Sequence, residues 1–506
     1  MASLPDKILI VGGGTAGWMA ALHMQDAWGD KGVDICLIES PMIGTVGVGE
    51  GTTPRLREFY TRLDIPESEW MPACNATYKC GISFPEWSTV EGYESYFHPF
   101  FSNHDKEYIQ YFWDNCRQRR DGYDIPAHPD DYFLTTALAR QQRSPIPKHK
   151  PATDSMYGYH LDATLMGEFL KGKATQRGVT LIQDTITDVK INGHGDISHV
   201  KTENHGNIKA DLFVDCSGFK GLLIRQAMGE KLKSTKAYMF NDSAIAIPTP
   251  IKNHGEIMSE TISRAMKYGW VWHIPLSNRM GNGYVYSSDY ISKEEVETEF
   301  REYLGKDAEG IEALHLHWSP GRLENHWKNN CVAIGLSQGF LEPLEALMIN
   351  VIQASIETFT ACFERGEFTD RYREDFNSQV NRFIDVIRDY LQLHYKLNSR
   401  DDTAYCRDNR DNPNMSAQLA RVLNAWDGNE SMDHVLPDDT NQPICPRLSW
   451  YCMLAGMGRF PEPSKGRLRL PVRHQRRAHD SNEEQAKTFY PHAEYLKKLY
   501  AGSAKL

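Results

Sequence analysis

The sequence predicts an α/β fold: a Rossmann-like nucleotide-binding core with a mainly α-helical C-terminal region appended. Three observations carry that prediction. A short apolar run, Lys7-Ile8-Leu9-Ile10-Val11, leads straight into Gly12-Gly13-Gly14-Thr15-Ala16-Gly17, and an apolar segment of helical length follows. Two further β-like runs that end in glycine turns, 210–218 and 331–339, lie far downstream, so one sheet must collect strands from distant parts of the chain. Beyond Phe376, apolar residues at Val380, Phe383, Ile384, Ile387, Tyr390 and Leu391 recur at helical spacing. The expected division is a core over 1–375, with substrate-side segments inserted, and a helical region over 376–506 that covers it.

The first elements set up a dinucleotide site. Gly12 permits the tight turn after the strand, Gly14 lets backbone approach a pyrophosphate, and Gly17 allows close helix packing. Thr15 and Ala16 complete the turn. The helix expected over 18–27 turns its N-terminus, and so its positive dipole end, toward the phosphates. A second strand over 33–38 closes on Glu39, about 20 residues past the glycines, where an acid accepts hydrogen bonds from ribose hydroxyls. Then comes a glycine-dense stretch, 43–54, that contains Gly49 and Glu50 and ends at a helix start near Pro54. So much glycine predicts a mobile strap whose amides lie against a flat or charged ligand.

Composition excludes several functions. The chain has 506 residues and a formal net charge of -11, and its pI near 6.0 speaks against a general nucleic-acid binder. Ten cysteines occur without a Cys-x-x-Cys pair, which argues for packed, reduced thiols and no metal centre. A strand begins almost at the N-terminus, leaving no room for a signal peptide, and no window reads as a membrane span. A soluble, cytoplasmic protein, monomeric or homodimeric, is the expectation.

Four places carry chemistry. Tyr78-Lys79-Cys80-Gly81-Ile82-Ser83-Phe84 alternates as one strand and holds a lysine. His98-Pro99-Phe100 follows two aromatics. Gly269-Trp270-Val271-Trp272-His273-Ile274-Pro275 puts two indoles on the same face of a strand that proline ends. Gly339-Phe340-Leu341-Glu342-Pro343-Leu344-Glu345 leads into an apolar helix expected over 347–365 with Gly366 as its stop. Glu342 reads as a complement to that helix dipole. Asp162 reads as the N-cap of a helix over 163–174. Further on, 401–414 reads as a loop, 419–426 as a helix, the basic run 467–477 as solvated surface, and 483–500 as one final amphipathic helix.

The pattern Trp270-x-Trp272-x-Ile274-Pro275, joined to the glycine fingerprint, the Lys79-x-Gly81 strand and the Pro343-Leu344-Glu345 segment, resembles the flavin-dependent halogenases, the tryptophan-halogenase-like family. The resemblance implies a flavin-monooxygenase type of core that takes FAD as FADH2 from a separate NAD(P)H-dependent reductase. Gly12, Gly14, Thr15, Ala16, Gly17, Glu39, Gly49, Glu50, Gly335 and Leu344 would be its cofactor contacts. Oxygen and halide are the implied co-substrates, and the hypohalous acid formed from them would be handed to Lys79, by hydrogen bonding or as a haloamine. Glu345 would stabilise the arenium intermediate of an indole or similar aromatic, or take its proton. Halide would rest on the amides of Leu347 and Met348. His98, Phe100 and Trp450 would wall the substrate pocket, with Tyr451 and Phe460 also plausible there, while Trp270 and Trp272 would stand beside the flavin and keep substrate from it. Where the family reads Glu-Ser-Thr-Gly, this chain reads Glu345-Ala346-Leu347-Met348. Lost hydroxyls hold a hydrated chloride less well, so bromide is the expected preference. Two rivals share the fold: an FAD-dependent aromatic hydroxylase and a flavoprotein without catalysis.

Overall fold

Strand Lys7–Val11 lies near the middle of a six-stranded sheet. Its order is Trp327–Lys328, Cys331–Ala333, Leu212–Asp215, Lys7–Val11, Asp34–Glu39, Thr180–Gln183. All pairings are parallel except the edge hairpin at Trp327–Lys328. Both faces are covered, which is why these strands read as unbroken apolar runs. Ile8 and Ile10 face the helix Thr15–Trp28, while Leu9 and Val11 face the opposite layer with Phe213, Leu223 and Ile224. The computed structural model describes residues 4–42, 49–149, 156–436, 444–464 and 473–502. The strap residues 43–48 and most of the basic run 467–477 lie outside them.

A second, seven-stranded sheet stands beside the first, in the order Leu314–His317, Ser243–Ala246, Met280–Tyr286, Gly269–Pro275, Thr261–Ala265, Gly81–Pro85, Ser95–Pro99. Only Thr261–Ala265 and Gly81–Pro85 run parallel in it. A three-stranded sheet, Gly49–Gly51, Gly158–Asp162 and Thr77–Lys79, completes the site-bearing region. The lysine segment is therefore two strands and not one. It breaks at Cys80, whose N–H leaves the small sheet to donate to the Ser259 carbonyl. Gly81 is required there, because a Cβ would come 2.3 Å from the His98 carbonyl oxygen.

The expected cap at Asp162 is present, while boundaries further on differ from expectation. Gly158–Asp162 is a strand whose last residue, Asp162, caps helix Ala163–Gln176 by accepting from the Thr164 and Leu165 amides. The stretch taken for a loop contains helix Ala404–Asp411, started by the Thr403 hydroxyl on the Cys406 amide. The final helix is two: Arg473–Ala486, then strand Phe489–Pro491 against Arg143–Pro147, then His492–Tyr500. Pro491 explains the break, since it cannot continue a helix but suits the start of one. Segment Leu344–Arg365 is long and apolar enough to cross a membrane, contrary to the reading of the sequence. It is mostly buried, packed on helices Thr15–Trp28 and Arg373–Leu397, and its apolarity is that of a core helix. All ten cysteines are free and buried.

Candidate active site

The nucleotide end is built by backbone. Gly12 has φ 115°, and a Cβ there would lie 2.2 Å from the carbonyl oxygen of Cys216, the residue just past the neighbouring parallel strand. A Cβ on Gly17 would strike the Gly12 oxygen at 1.9 Å. By contrast nothing lies within 4 Å of a Cβ position on Gly14, the N-cap of helix Thr15–Trp28, which has no side-chain cap. That open space before uncapped helix amides fits a pyrophosphate. Gly335, at φ 79°, closes the same corner, its Cβ position 2.7 Å from the Ala16 methyl. The Thr15 hydroxyl donates to the Ala163 carbonyl at 3.3 Å, so its side chain holds a helix. Glu39 stands at the end of its strand with Lys171 2.6 Å away, a partner that sequence reading did not find.

Strand Gly49–Gly51 carries the first part of the chemistry. A Cβ at Gly49 would meet Ile274 at 3.3 Å and Gly281 at 3.6 Å, in the tryptophan strand and its neighbour. Burial, with the Asp162 carboxylate nearby, pushes Glu50 up to about 7. At Gly51 a Cβ would lie 3.1 Å from Lys79 Nζ, 3.2 Å from Ala346 Cβ and 3.4 Å from Thr261 Oγ1. The amine, the turn that follows Glu345 and a threonine hydroxyl thus border one point. Lys79 is fully buried, and its Nζ has no hydrogen-bond partner among the described residues. The Phe100 ring centroid is 5.5 Å from it. Burial pushes Lys79 down to about 7, with the Glu345 charge pulling the other way. Behind it, His160 joins Thr77 Oγ1 at 3.0 Å and Thr261 Oγ1 at 2.9 Å, and burial holds that imidazole neutral.

Glu345 sits in a left-handed turn, φ 69°, just before helix Met348–Arg365. Its carboxylate is buried between two imidazoles, His98 Nδ1 at 2.9 Å from Oε2 and His394 Nε2 at 3.2 Å from Oε1. Burial opposes ionisation, but the two histidines outweigh it and hold the carboxyl well below the usual carboxylate range. His98 is therefore bonded edge-on to Glu345, not stacked as a bare ring wall, and Ser449 fixes its Nε2 at 2.9 Å. Trp450, the next residue, packs at 5.1 Å on Tyr390, which packs in turn on both histidines. Its outer side borders a cavity of about 790 Å³ with Arg382, Asp389, Arg421 and Arg447.

Several expectations shift. Glu342 is no dipole partner at a surface. It is buried, accepting from the Tyr395 hydroxyl at 2.6 Å and the Asn241 amide at 2.9 Å, and burial raises it to about 7. Leu344 is fully buried. Leu347 and Met348, half-buried, begin the helix without a side-chain cap. Trp270 and Trp272 lie on one face, centroids 6.1 Å apart, neither indole N–H partnered among the described residues. Tyr451 and Phe460 lie against Trp426. His394, His160, Thr261 and Ser449 were missed. Their one shared signal, a polar residue inside an apolar pattern, is common to many structural positions.

A nucleotide corner of this kind, with a lysine of the three-stranded sheet buried near a carboxylate, fits the Rossmann-like fold of FAD-binding oxidoreductases. The tryptophan halogenase family matches residues 7–470, and the chain belongs to that family of flavin-dependent enzymes. It is 40% identical to the tryptophan 6-halogenase SttH of Streptomyces toxytricini over 478 residues, 90% of each chain. The crystal structure of that enzyme superposes with a TM-score of 0.84 at 36% identity, covering 97% of this chain and 99% of that one. BrvH, a flavin-dependent halogenase from Brevundimonas sp. BAL3, superposes at 0.83 with 30% identity, over 98% and 99% of the two chains.

Proposed function

We propose that this protein halogenates an indole or another electron-rich aromatic, using FADH2 from a separate NAD(P)H-dependent reductase, oxygen and halide. Reduced flavin with oxygen supplies the oxidising power that turns halide into hypohalous acid. Gly12, Gly14, Thr15, Ala16, Gly17, Glu39 and Gly335 would hold the dinucleotide, and Gly49, Glu50 and Leu344 would complete its site. Ten free, buried cysteines suit a reducing, cytoplasmic setting. On this reading 1–375 carries the flavin and both reacting groups, and 376–506 supplies His394, Ser449 and Trp450.

The observation that supports it most is a buried amine without a hydrogen-bond partner within electrostatic reach of a buried carboxylate, which is hydrogen-bonded to His98 and has the His394 imidazole 3.2 Å from its other oxygen. Near neutral pH a lysine pushed to about 7 is partly in its neutral form. The neutral amine holds hypohalous acid by a hydrogen bond, or attacks its halogen so that an N–halogen bond forms and water leaves. The halogen then passes to the aromatic carbon. Glu345, kept ionised by its two histidines, is a weak base and a strong counter-charge, so it acts chiefly by stabilising the cationic ring before the proton departs. Trp270 and Trp272 would keep substrate from the flavin, while Phe100 and Trp450 would wall the aromatic's pocket. Leu347 and Met348 offer backbone amides at an uncapped helix start, without side-chain hydroxyls beside them, which favours the less hydrated bromide.

A flavin reductase, NADH, bromide and indole, with and without Lys79→Ala, test this. A product with a bromine isotope pattern that vanishes in the variant is expected. A gain of one oxygen instead would make the protein a hydroxylase, and an unaffected variant would remove Lys79 from the mechanism.

A further inference from the structure

The chain's last helix returns to the strand that carries Lys79. Strand Thr77–Lys79 is an edge of its small sheet, paired on one side with Gly158–Asp162. On its other side it runs beside segment 257–259, where the Cys80 N–H donates to the Ser259 carbonyl at 2.6 Å. Two residues back on both chains, the next rung would join the Tyr78 N–H to the Ile257 carbonyl. An imidazole stands in that place. His492 Nε2 lies 3.1 Å from the Tyr78 nitrogen, and His492 Nδ1 lies 3.0 Å from the Ile257 oxygen. Because the first partner donates and the second accepts, only the neutral Nδ1–H tautomer satisfies both.

The imidazole is firmly seated. His492 is fully buried, and its own amide donates to the Gln142 carbonyl at 2.9 Å. Eight residues on, at the far end of helix His492–Tyr500, the Tyr500 hydroxyl donates to the Ala76 carbonyl at 2.6 Å. One helix thus grips the lysine strand at Ala76 and at Tyr78. A ring inserted in a rung spreads two chains that would otherwise pair directly at the spacing of about 4.7–4.9 Å between strands. The spread occurs at the residue before Lys79, whose side chain then enters a space lined by Gly51 and Thr261. Burial keeps the ring neutral, its pKa pushed down to about 4, so the rung stays intact across the working pH range.

We infer that His492 is a positioning residue: its imidazole, spliced as a spacer between the lysine strand and segment 257–259, sets the direction of the Lys79 amine. The inference rests on the role proposed for Lys79, yet its test does not. In the flavin-free protein, Lys79 is labelled across pH with trace acetic anhydride, a small neutral reagent that reports the free-amine fraction, and the modified peptide is read by mass spectrometry. His492→Phe keeps ring size and removes both polar contacts. It should move the labelling midpoint up by about one pH unit, a tenfold change in the amine's proton affinity, as the strand relaxes and water enters. With reductase present, kcat should fall at least about tenfold while KM for the aromatic changes little, because the reacting amine and not the substrate pocket is displaced. His492→Gln, which offers a carbonyl to the Tyr78 amide and an N–H to Ile257, should recover most of both readouts. If His492→Phe does not accumulate as folded protein, His492→Asn, too short to reach both groups, replaces it with the same expected shift. A wild-type labelling midpoint in the disrupting variant, or a His492→Gln protein as impaired as that variant, overturns the inference. If Lys79→Ala still halogenates, the catalytic reading fails while the labelling result continues to decide this one.

Discussion

Lys79 and Glu345 are both buried titratable groups, close enough that the carboxylate's charge is felt at the amine, yet the protein treats them in opposite ways. Burial by itself disfavours the charged form of each. At Lys79 it acts almost alone, with no hydrogen-bond partner among the described residues, and the amine drops to about 7. At Glu345 the imidazoles of His98 and His394 reverse it, and the carboxylate stays charged. The contrast teaches that partners, more than depth, decide charge in this core. It also matches the proposed chemistry, which needs a neutral nucleophile beside a permanent negative charge.

The sharpest way to break the contrast is to remove the amine. Lys79→Ala should lower kcat by about 10²–10⁴-fold, measured as halogenated product per minute, with flavin binding unchanged. Glu345→Gln keeps the shape and removes the charge. A fall of about 10²–10³-fold is expected, and the double variant should lose no more than the worse single one if the two act as a unit. Gly51→Ala tests the shared point directly, because its methyl would meet Lys79 Nζ at 3.1 Å and Ala346 Cβ at 3.2 Å. Overpacking of about 1–3 kcal/mol should slow turnover severalfold, and undiminished activity would show that the amine does not need that space.

Stability against pH sharpens the lysine side. A lysine lowered from 10.5 to about 7 binds fewer protons folded than unfolded between those values, so its contribution to stability rises with pH across that window. Thermal melts at pH 7 and 10 should show this rise in the wild type and a weaker one in Lys79→Met, by at most about 1.4 kcal/mol per pH unit. Equal slopes would mean that the amine is protonated when folded. The smallest effect concerns halide. Replacing Ala346 and Leu347 by Ser and Thr should raise chloride turnover relative to bromide by a few fold, about 1 kcal/mol of added hydrogen bonding. An unchanged ratio would place selectivity elsewhere.

Local backbone rules made the nucleotide corner legible. Gly12 and Gly17 are demanded by contacts within a few residues or across one parallel strand, so their spacing alone announces them. The strand Gly269–Pro275 was equally plain, since alternation and a terminal proline are written in the chain. The chemistry was harder to read. His98 was legible as a site residue but not as the partner of Glu345, because that bond joins a strand to a turn 247 positions away. Glu342 was misread, since a carboxylate before a helix looks like a dipole partner until Tyr395 and Asn241 are seen to bury it. The last helix was drawn as one piece because its amphipathic period survives the break at Pro491.

Repeating features, the glycine turn, the strand period and the helix stripe, are determined by steric limits on neighbouring residues, and those the chain spells out without help. Which side chains lose water together depends on how distant segments close on one another. Burial and partnering supply the energies that shift a proton, so the charge on Lys79, the ionisation of Glu345 and the place of His492 were decided only when the chain folded.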